Sequence, residues 1–233
     1  MTKDTWVLSC RTATVIALLF HGFGALGIIT NTYKEFFIGA TPLNLLLMGG
    51  LLVATHPKRN AAFGWFVAIC IITGIAVEVI GVNTGWLFGQ YSYGKVLGYQ
   101  WKGVPLLIGI NWFITMYCCG VTIHTLLRKL IAKMSDDLGV SSKKIQALSV
   151  VVDGASLAVF FDWIIEPVAI KLGFWTWGGS GAIPMFNYVC WFGISLLLLA
   201  CFYFFNFGKS NKFAVHLLLI QILFFLLLRT FLS

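Results

Sequence analysis

Residues 146–170 read QALSVVVDGASLAVFFDWIIEPVAI. The run exceeds the roughly 20 apolar residues that cross a bilayer as a helix, yet it holds Asp153, Asp162 and Glu166. A carboxylate in hydrocarbon costs at least a few kcal/mol on the more lenient scales, so three in one segment point to chemistry or to specific pairing. The rest of the chain agrees with a membrane setting. Of 233 residues 59% are hydrophobic and 10% charged, mean hydropathy is +0.91, and an average soluble domain is about a quarter charged. This composition excludes a disordered chain, a collagen, a secreted disulfide scaffold and a nucleic-acid-binding domain.

Seven apolar segments are long enough to serve as spans: 6–30, 42–56, 61–82, 103–127, 146–170, 182–207 and 212–232. The expected architecture is an all-α polytopic bundle of about seven transmembrane helices forming one integral membrane domain over 1–233, with 42–56 as its shortest member. The first segment does not read as a cleavable signal peptide, because its apolar run continues through Gly22, Gly24 and Gly27 without a small-residue cleavage pattern. With seven spans, Lys3, Arg11, Lys58, Arg59, Arg128, Lys129, Lys133, Lys143, Lys144, Lys209 and Lys212 share one side. Lys34, Lys95, Lys102, Lys171 and Arg229 share the other. That asymmetry predicts a cytoplasmic N-terminus and an outward C-terminus in a cell inner membrane. The net charge of +8 therefore records topology and implies no nucleic acid.

The two long outer loops, 83–102 and 171–181, are rich in glycine and aromatics, and the segments around them follow one pattern. Glu78 is followed by Gly85-Trp86, Phe88, Tyr91, Tyr93, Pro105 and Asn111-Trp112; Glu166 is followed by Gly173-Phe174-Trp175, Trp177, Pro184, Asn187 and Trp191. The expectation is a parallel internal repeat, 70–127 and 146–207, in which spans three and four match spans five and six. Parallel repeats related by an axis along the membrane normal build sites at their interface, which predicts a central cavity near the outer leaflet.

Asp162 and Glu166, four residues apart, lie on one helical face, and Asp153 on nearly the opposite one. Two neighbouring carboxyls in low dielectric cannot easily both ionise, so one of the pair is expected to hold a proton that it can donate. The bland alternative is an ion pair of Glu166 with Lys171, or a hydrogen bond to backbone freed by Pro167. Asn83, Asn111 and Asn187 are candidates to position a water, and Asn111 and Asn187 are equally natural as interhelical glue. Seven of the nine tryptophans, Trp86, Trp101, Trp112, Trp163, Trp175, Trp177 and Trp191, fall in the two copies. A plain interfacial belt would occupy both membrane faces. An aromatic slot instead suits a conjugated hydrocarbon and stabilises a carbocation. His21, His56, His124 and His216 have no HxxxH or HxxH spacing, and Cys70, Cys118, Cys119, Cys190 and Cys201 no CxxC pairing; they read as core residues, with no metal site.

Two runs resemble a known family: Gly85-Trp86-Leu87-Phe88-Gly89-Gln90-Tyr91-Ser92-Tyr93-Gly94 with Gly103-Val104-Pro105, Asn111-Trp112, and Asp162-Trp163-Ile164-Ile165-Glu166-Pro167 with Trp175-Thr176-Trp177, Ile183-Pro184, Asn187-Tyr188. Over about 70–205 the chain is similar to the membrane carotenoid biosynthesis family of carotenoid 1,2-hydratases, which includes gamma-carotene 1'-hydroxylases and bisanhydrobacterioruberin hydratases. The resemblance implies hydration of the terminal C1–C2 double bond of a ψ-end carotenoid such as gamma-carotene or lycopene, with oxygen taken from water and no cofactor. On that reading one carboxylic acid protonates the alkene and a carboxylate takes a proton from the attacking water. Asp162 and Glu166 are the leading acid and base candidates, with Glu78 facing them. Trp86, Tyr91, Tyr93, Trp112, Trp175, Trp177 and Trp191 would line the slot.

Two competing readings remain. A membrane lycopene cyclase protonates the same end group but closes the cation onto an internal double bond. A proton-coupled transporter would also use repeats and intramembrane acids, although aromatic loops make a poor polar pathway. Expected partners are the carotenoid, membrane lipid and other carotenoid-pathway enzymes; the basic 128–145 loop reads more simply as a cytoplasmic anchor over anionic lipid.

Overall fold

The computed structural model describes residues 8–134 and 142–232. Lys3, Asp4, Asp136, Asp137 and the middle of the basic 128–145 loop lie outside the described residues. The elements in order are α1 (Cys10–Ile29), α2 (Lys34–Gly39), α3 (Thr41–Thr55), α4 (Ala61–Thr84), β1 (Tyr91–Tyr93), β2 (Gln100–Trp101), β3 (Val104–Pro105), α5 (Ile108–Met134), α6 (Ser142–Lys171), β4 (Trp175–Trp177), α7 (Met185–Phe204) and α8 (Lys212–Phe231). Six of these helices are long and apolar enough to cross a membrane, and α3 is a shorter apolar helix. The fold is an all-α polytopic bundle.

The short second segment has a structural reason. At 1.5 Å per residue, the 15 residues of α3 reach only about 22 Å of the roughly 30 Å hydrocarbon core. α2 precedes α3 and packs its Phe37 ring against Gly27 near the end of α1, while Leu8 N–H donates to Ala54 O at 3.2 Å. Together α2 and α3 therefore make the return pass beside α1. Asn60 Nδ2 donates to Asn206 O at 2.7 Å and Asn211 Nδ2 to Thr55 Oγ1 at 3.1 Å, so the loops after α3 and α7 meet at the end where α1 begins. At the opposite end, Lys171 Nζ donates to Leu232 O at 2.7 Å.

Side-chain oxygens start several helices, as expected where the first N–H groups lack partners. Asn60 Oδ1 accepts from Phe63 N at 2.9 Å and Asn211 Oδ1 from Phe213 N at 3.0 Å. α4 stops at Gly85, whose φ of 70° is the left-handed cap that glycine adopts without strain. α6 runs through Pro167. The missing proline N–H leaves the Trp163 carbonyl free; Arg229 Nη1 donates to it at 3.4 Å, and the guanidinium lies 4.2 Å from the centre of the Trp163 ring.

The outer loops are not plain loops. β1 pairs antiparallel with β4 in the register Tyr91↔Trp177, Ser92↔Thr176, Tyr93↔Trp175, and β2 pairs with β3 in a short hairpin. Because strand side chains alternate, Tyr91, Tyr93, Trp175 and Trp177 share one face. Ser92 and Thr176 take the other, their hydroxyls 3.2 Å apart. The two aromatic segments thus form a two-stranded roof over one end of the bundle, where α4 and α6 end and α5 and α7 begin.

Candidate active site

Glu78 in α4 and Glu166 in α6 are both buried beneath this roof. Each receives two donors from the strand that follows it in sequence. Tyr91 and Tyr93 hydroxyls donate to Glu78 Oε2 at 2.6 and 2.7 Å. Trp175 and Trp177 Nε1 both donate to Glu166 Oε2 at 3.0 Å. Burial, and after it the neighbouring Glu78 carboxyl, push the Tyr91 hydroxyl far above the ordinary phenol range, and the same causes raise Tyr93. Both tyrosines therefore keep the protons they donate.

Each acid also takes a third donor from the following helix. Trp112 Nε1 donates to Glu78 Oε1 at 3.1 Å. Asn187 Nδ2 donates to Asp162 Oδ2 at 3.0 Å and makes a longer contact of 3.4 Å to Glu166 Oε1. One amide nitrogen thus touches the carboxyls of both Asp162 and Glu166, making them immediate neighbours. The bland pairing of Glu166 with Lys171 is not what the structure shows, since Lys171 turns to Leu232.

The three acids line a cavity of about 30 Å³ with Tyr91, Tyr93, Trp175, Trp177, Trp191, Asn111 and Asn187. That is space for a water molecule. Trp112 stands behind it, stacked on Trp191 with ring centres 4.0 Å apart and planes 8° from parallel. Of the residues singled out from sequence, the structure leaves two outside this group. Trp86 is 78% exposed, and Asn83 Nδ2 donates to the backbone oxygens of Val79 and Lys102 at 2.8 and 3.0 Å. Asp153 is exposed on α6 and accepts from Ser149 Oγ. At 1.5 Å per residue Asp153 stands about 13 Å along α6 from Asp162, outside the group.

Sequence reasoning missed Thr115, Phe161 and Ile165, which also line the cavity. Thr115 is buried, and its Oγ1 has no hydrogen-bond partner among the described residues. A signal for it existed, because Thr115 follows Asn111 by one helical turn on the same face.

The carotenoid biosynthesis protein family model matches residues 39–233, a region that contains every residue of this cavity. The chain belongs to the carotenoid biosynthesis protein family. Within this family it is similar to the bisanhydrobacterioruberin hydratase of Haloarcula japonica, with 22% identity over 190 residues. That alignment covers 76% of this chain but 59% of the relative, so the chain spans less than two thirds of the relative's length. No solved structure matches the chain. The family is one of carotenoid biosynthesis proteins, and in this chain the buried acids are the groups with chemistry to offer.

Proposed function

We propose that the protein hydrates the terminal C1–C2 double bond of a ψ-end carotenoid, such as gamma-carotene or lycopene, giving a 1-hydroxy carotenoid without a cofactor. The observation that carries the reading is the unequal hydrogen bonding of two adjacent buried carboxyls around a water-sized space. Trp indoles donate only, so Glu166 Oε2, with two of them, is satisfied as an anion. Among the described residues Glu166 Oε1 has only the long Asn187 contact and keeps capacity to accept a proton. Asp162 receives a single donor and is better satisfied as a neutral acid that donates its own proton. Asp162 is therefore the acid and Glu166 the base.

The proton of Asp162 goes to C2 of the alkene, and the pair of electrons of the double bond forms the new C–H bond. The tertiary cation left at C1 faces aromatic rings, whose negative π-faces favour it. Water adds to C1 while Glu166 takes one of its protons. Transfer of that proton from Glu166 to Asp162 restores the starting state, so atoms and charge balance with water as the only co-substrate. Asn111 and Thr115 Oγ1 supply polar atoms to hold the water.

The pairing of β1 with β4 supports treating 70–127 and 146–207 as two copies. Tyr91 faces Trp177 while Tyr93 faces Trp175, the reciprocal register that a two-fold axis along the bundle produces. The basic end, with the start of α1, is placed in the cytoplasm, and the roof on the outer side of the inner membrane.

The test is product analysis in a lycopene- or gamma-carotene-producing host grown with and without this chain, in ordinary and ¹⁸O-labelled water. A product heavier by one water, carrying label from water, is expected. A product of unchanged mass would make the protein a cyclase, and unchanged pigment would remove both readings.

A further inference from the structure

A second cavity, far larger than the first, lies against its inner wall. It encloses about 470 Å³ between α1, α2, α3, α5, α6 and α8, within the range of sites that hold small-molecule ligands. Its wall is mainly apolar and aromatic, including Phe20, Phe37, Phe174 and Phe224. Three residues, Asn111, Phe161 and Ile165, line both cavities. The acid cavity has room for water and none for a branched hydrocarbon end. The large cavity has the volume but no carboxyl. Each space lacks what the other holds, and they share a wall.

The rim of the large cavity also decides how a ligand gets in. Phe23 on α1, Phe36 on α2 and Leu43 on α3 line it and are 60%, 69% and 63% exposed. Phe23 and Leu43 belong to apolar helices of the bundle and Phe36 to the short α2 that joins them, so the surface they face is the lipid. A ligand dissolved in the bilayer enters sideways and never crosses water.

We infer that this cavity is the binding site for the polyene chain of the substrate, entered from lipid between α1 and α3, with the reacting end delivered to Asp162 across the Asn111–Phe161–Ile165 wall. The inference rests on the hydratase reading for the identity of the ligand, and it assigns to α1 a part in the site although α1 precedes the matched family region. It places the chain on the α1 and α8 side of α5, away from the roof.

The test uses the full chain purified in detergent from a lycopene-producing host, in an Asp162→Asn background that stops turnover. Polyene bound per protein is read by absorbance, and hydration is read in membranes without that substitution. Gly24→Phe and Thr41→Phe plug the cavity from α1 and α3 independently. Among the described residues a Cβ at Gly24 meets the Phe224 ring, at an ordinary 3.7 Å, so the backbone there accepts a side chain. Trp65→Ala, on a lipid-facing side chain that is 65% exposed and outside both cavities, is the control for binding. Each plug is expected to cut bound polyene and hydration at least tenfold at unchanged melting temperature, with Trp65→Ala like the parent. Plugged, folded protein that keeps its polyene or its activity overturns the inference, as does recovery of phospholipid alone from the unplugged cavity. Polyene lost on plugging while the unsubstituted chain makes no hydrated product supports the site and overturns the hydratase reading instead.

Discussion

Glu78 and Glu166 sit in matching surroundings, and one turn before each the two halves of the molecule part ways. Four residues before Glu166 stands Asp162; four before Glu78 stands Gly74. A Cβ at Gly74 would come within 2.6 Å of the Trp112 ring, so Trp112 fills in the first half the volume that Asp162 and Asn187 occupy in the second. Trp112 then stacks on Trp191 of the other half. One half has become a packed wall and the other keeps an acid with a polar partner. The difference teaches that a buried carboxyl under aromatic donors is common to both halves, whereas a second, poorly hydrogen-bonded carboxyl stands in one half, the half to which the proposed reaction assigns the proton donor.

The largest effect should follow from removing that asymmetry. Asp162→Asn keeps the shape and the place of Asn187 but deletes the acid, and kcat for hydration is expected to fall about 10²–10⁴-fold, the usual contribution of a general acid. Glu166→Gln should cost a comparable factor. Protein level in the membrane and melting temperature should stay close to the parent. If both variants hydrate carotenoid at the parent rate, the division of labour between the halves is wrong.

Next in size is the wall. Gly74→Ala pushes a methyl into Trp112 and is expected to destabilise the protein by roughly 1–3 kcal/mol, as over-packing of cores does, read as a lower melting temperature in detergent. Ala158→Gly, at a fully buried position of α6, removes a side chain instead of adding one and should leave the Trp112–Trp191 stack in place. A smaller effect is expected from Glu78→Gln. Both Glu78 oxygens are held by close donors, so its part is to fix the roof and the local field, and hydration should fall about tenfold or less, well short of the loss expected from a general acid or base. A loss as large as that of Asp162→Asn would move Glu78 into the proton-transfer steps.

Much of this was legible in the sequence for a physical reason. Carboxyls are scarce in apolar helices because they are expensive there, so Glu78, Asp162 and Glu166 announced themselves, and four-residue spacing placed the latter two together. Trp86 and Trp177 could not be separated in the same way. Both follow a glycine-rich turn, and only the pairing of β1 with β4, a contact between distant parts of the chain, turns one inward and leaves the other exposed. The Tyr-Ser-Tyr and Trp-Thr-Trp triplets did hold an alternation of large and small side chains that a strand would display. Phe161 and Ile165 look like any other apolar residues of α6, and their place between two cavities depends on where α1 and α8 pack.

The smallest effect distinguishes the halves by the chemistry of their donors. Glu78 is held by two phenols, which titrate, and Glu166 by two indoles, which do not. Burial raises Tyr91 and Tyr93 above their ordinary value, so in the unfolded chain they ionise near pH 10 while in the folded protein they stay protonated. A group raised on folding gives its full stabilisation below the unfolded value and loses it as pH climbs beyond. Melting temperature should therefore hold up to about pH 10 and then decline. Trp175→Phe with Trp177→Phe should lower the whole curve and keep that decline. Tyr91→Phe with Tyr93→Phe should lower it and flatten the part of the decline that these two phenols cause, leaving the share of the remaining tyrosines. An alkaline limb identical in both double variants would mean that the two halves hold their acids in the same way, and the comparison between them would reduce to Asp162 alone.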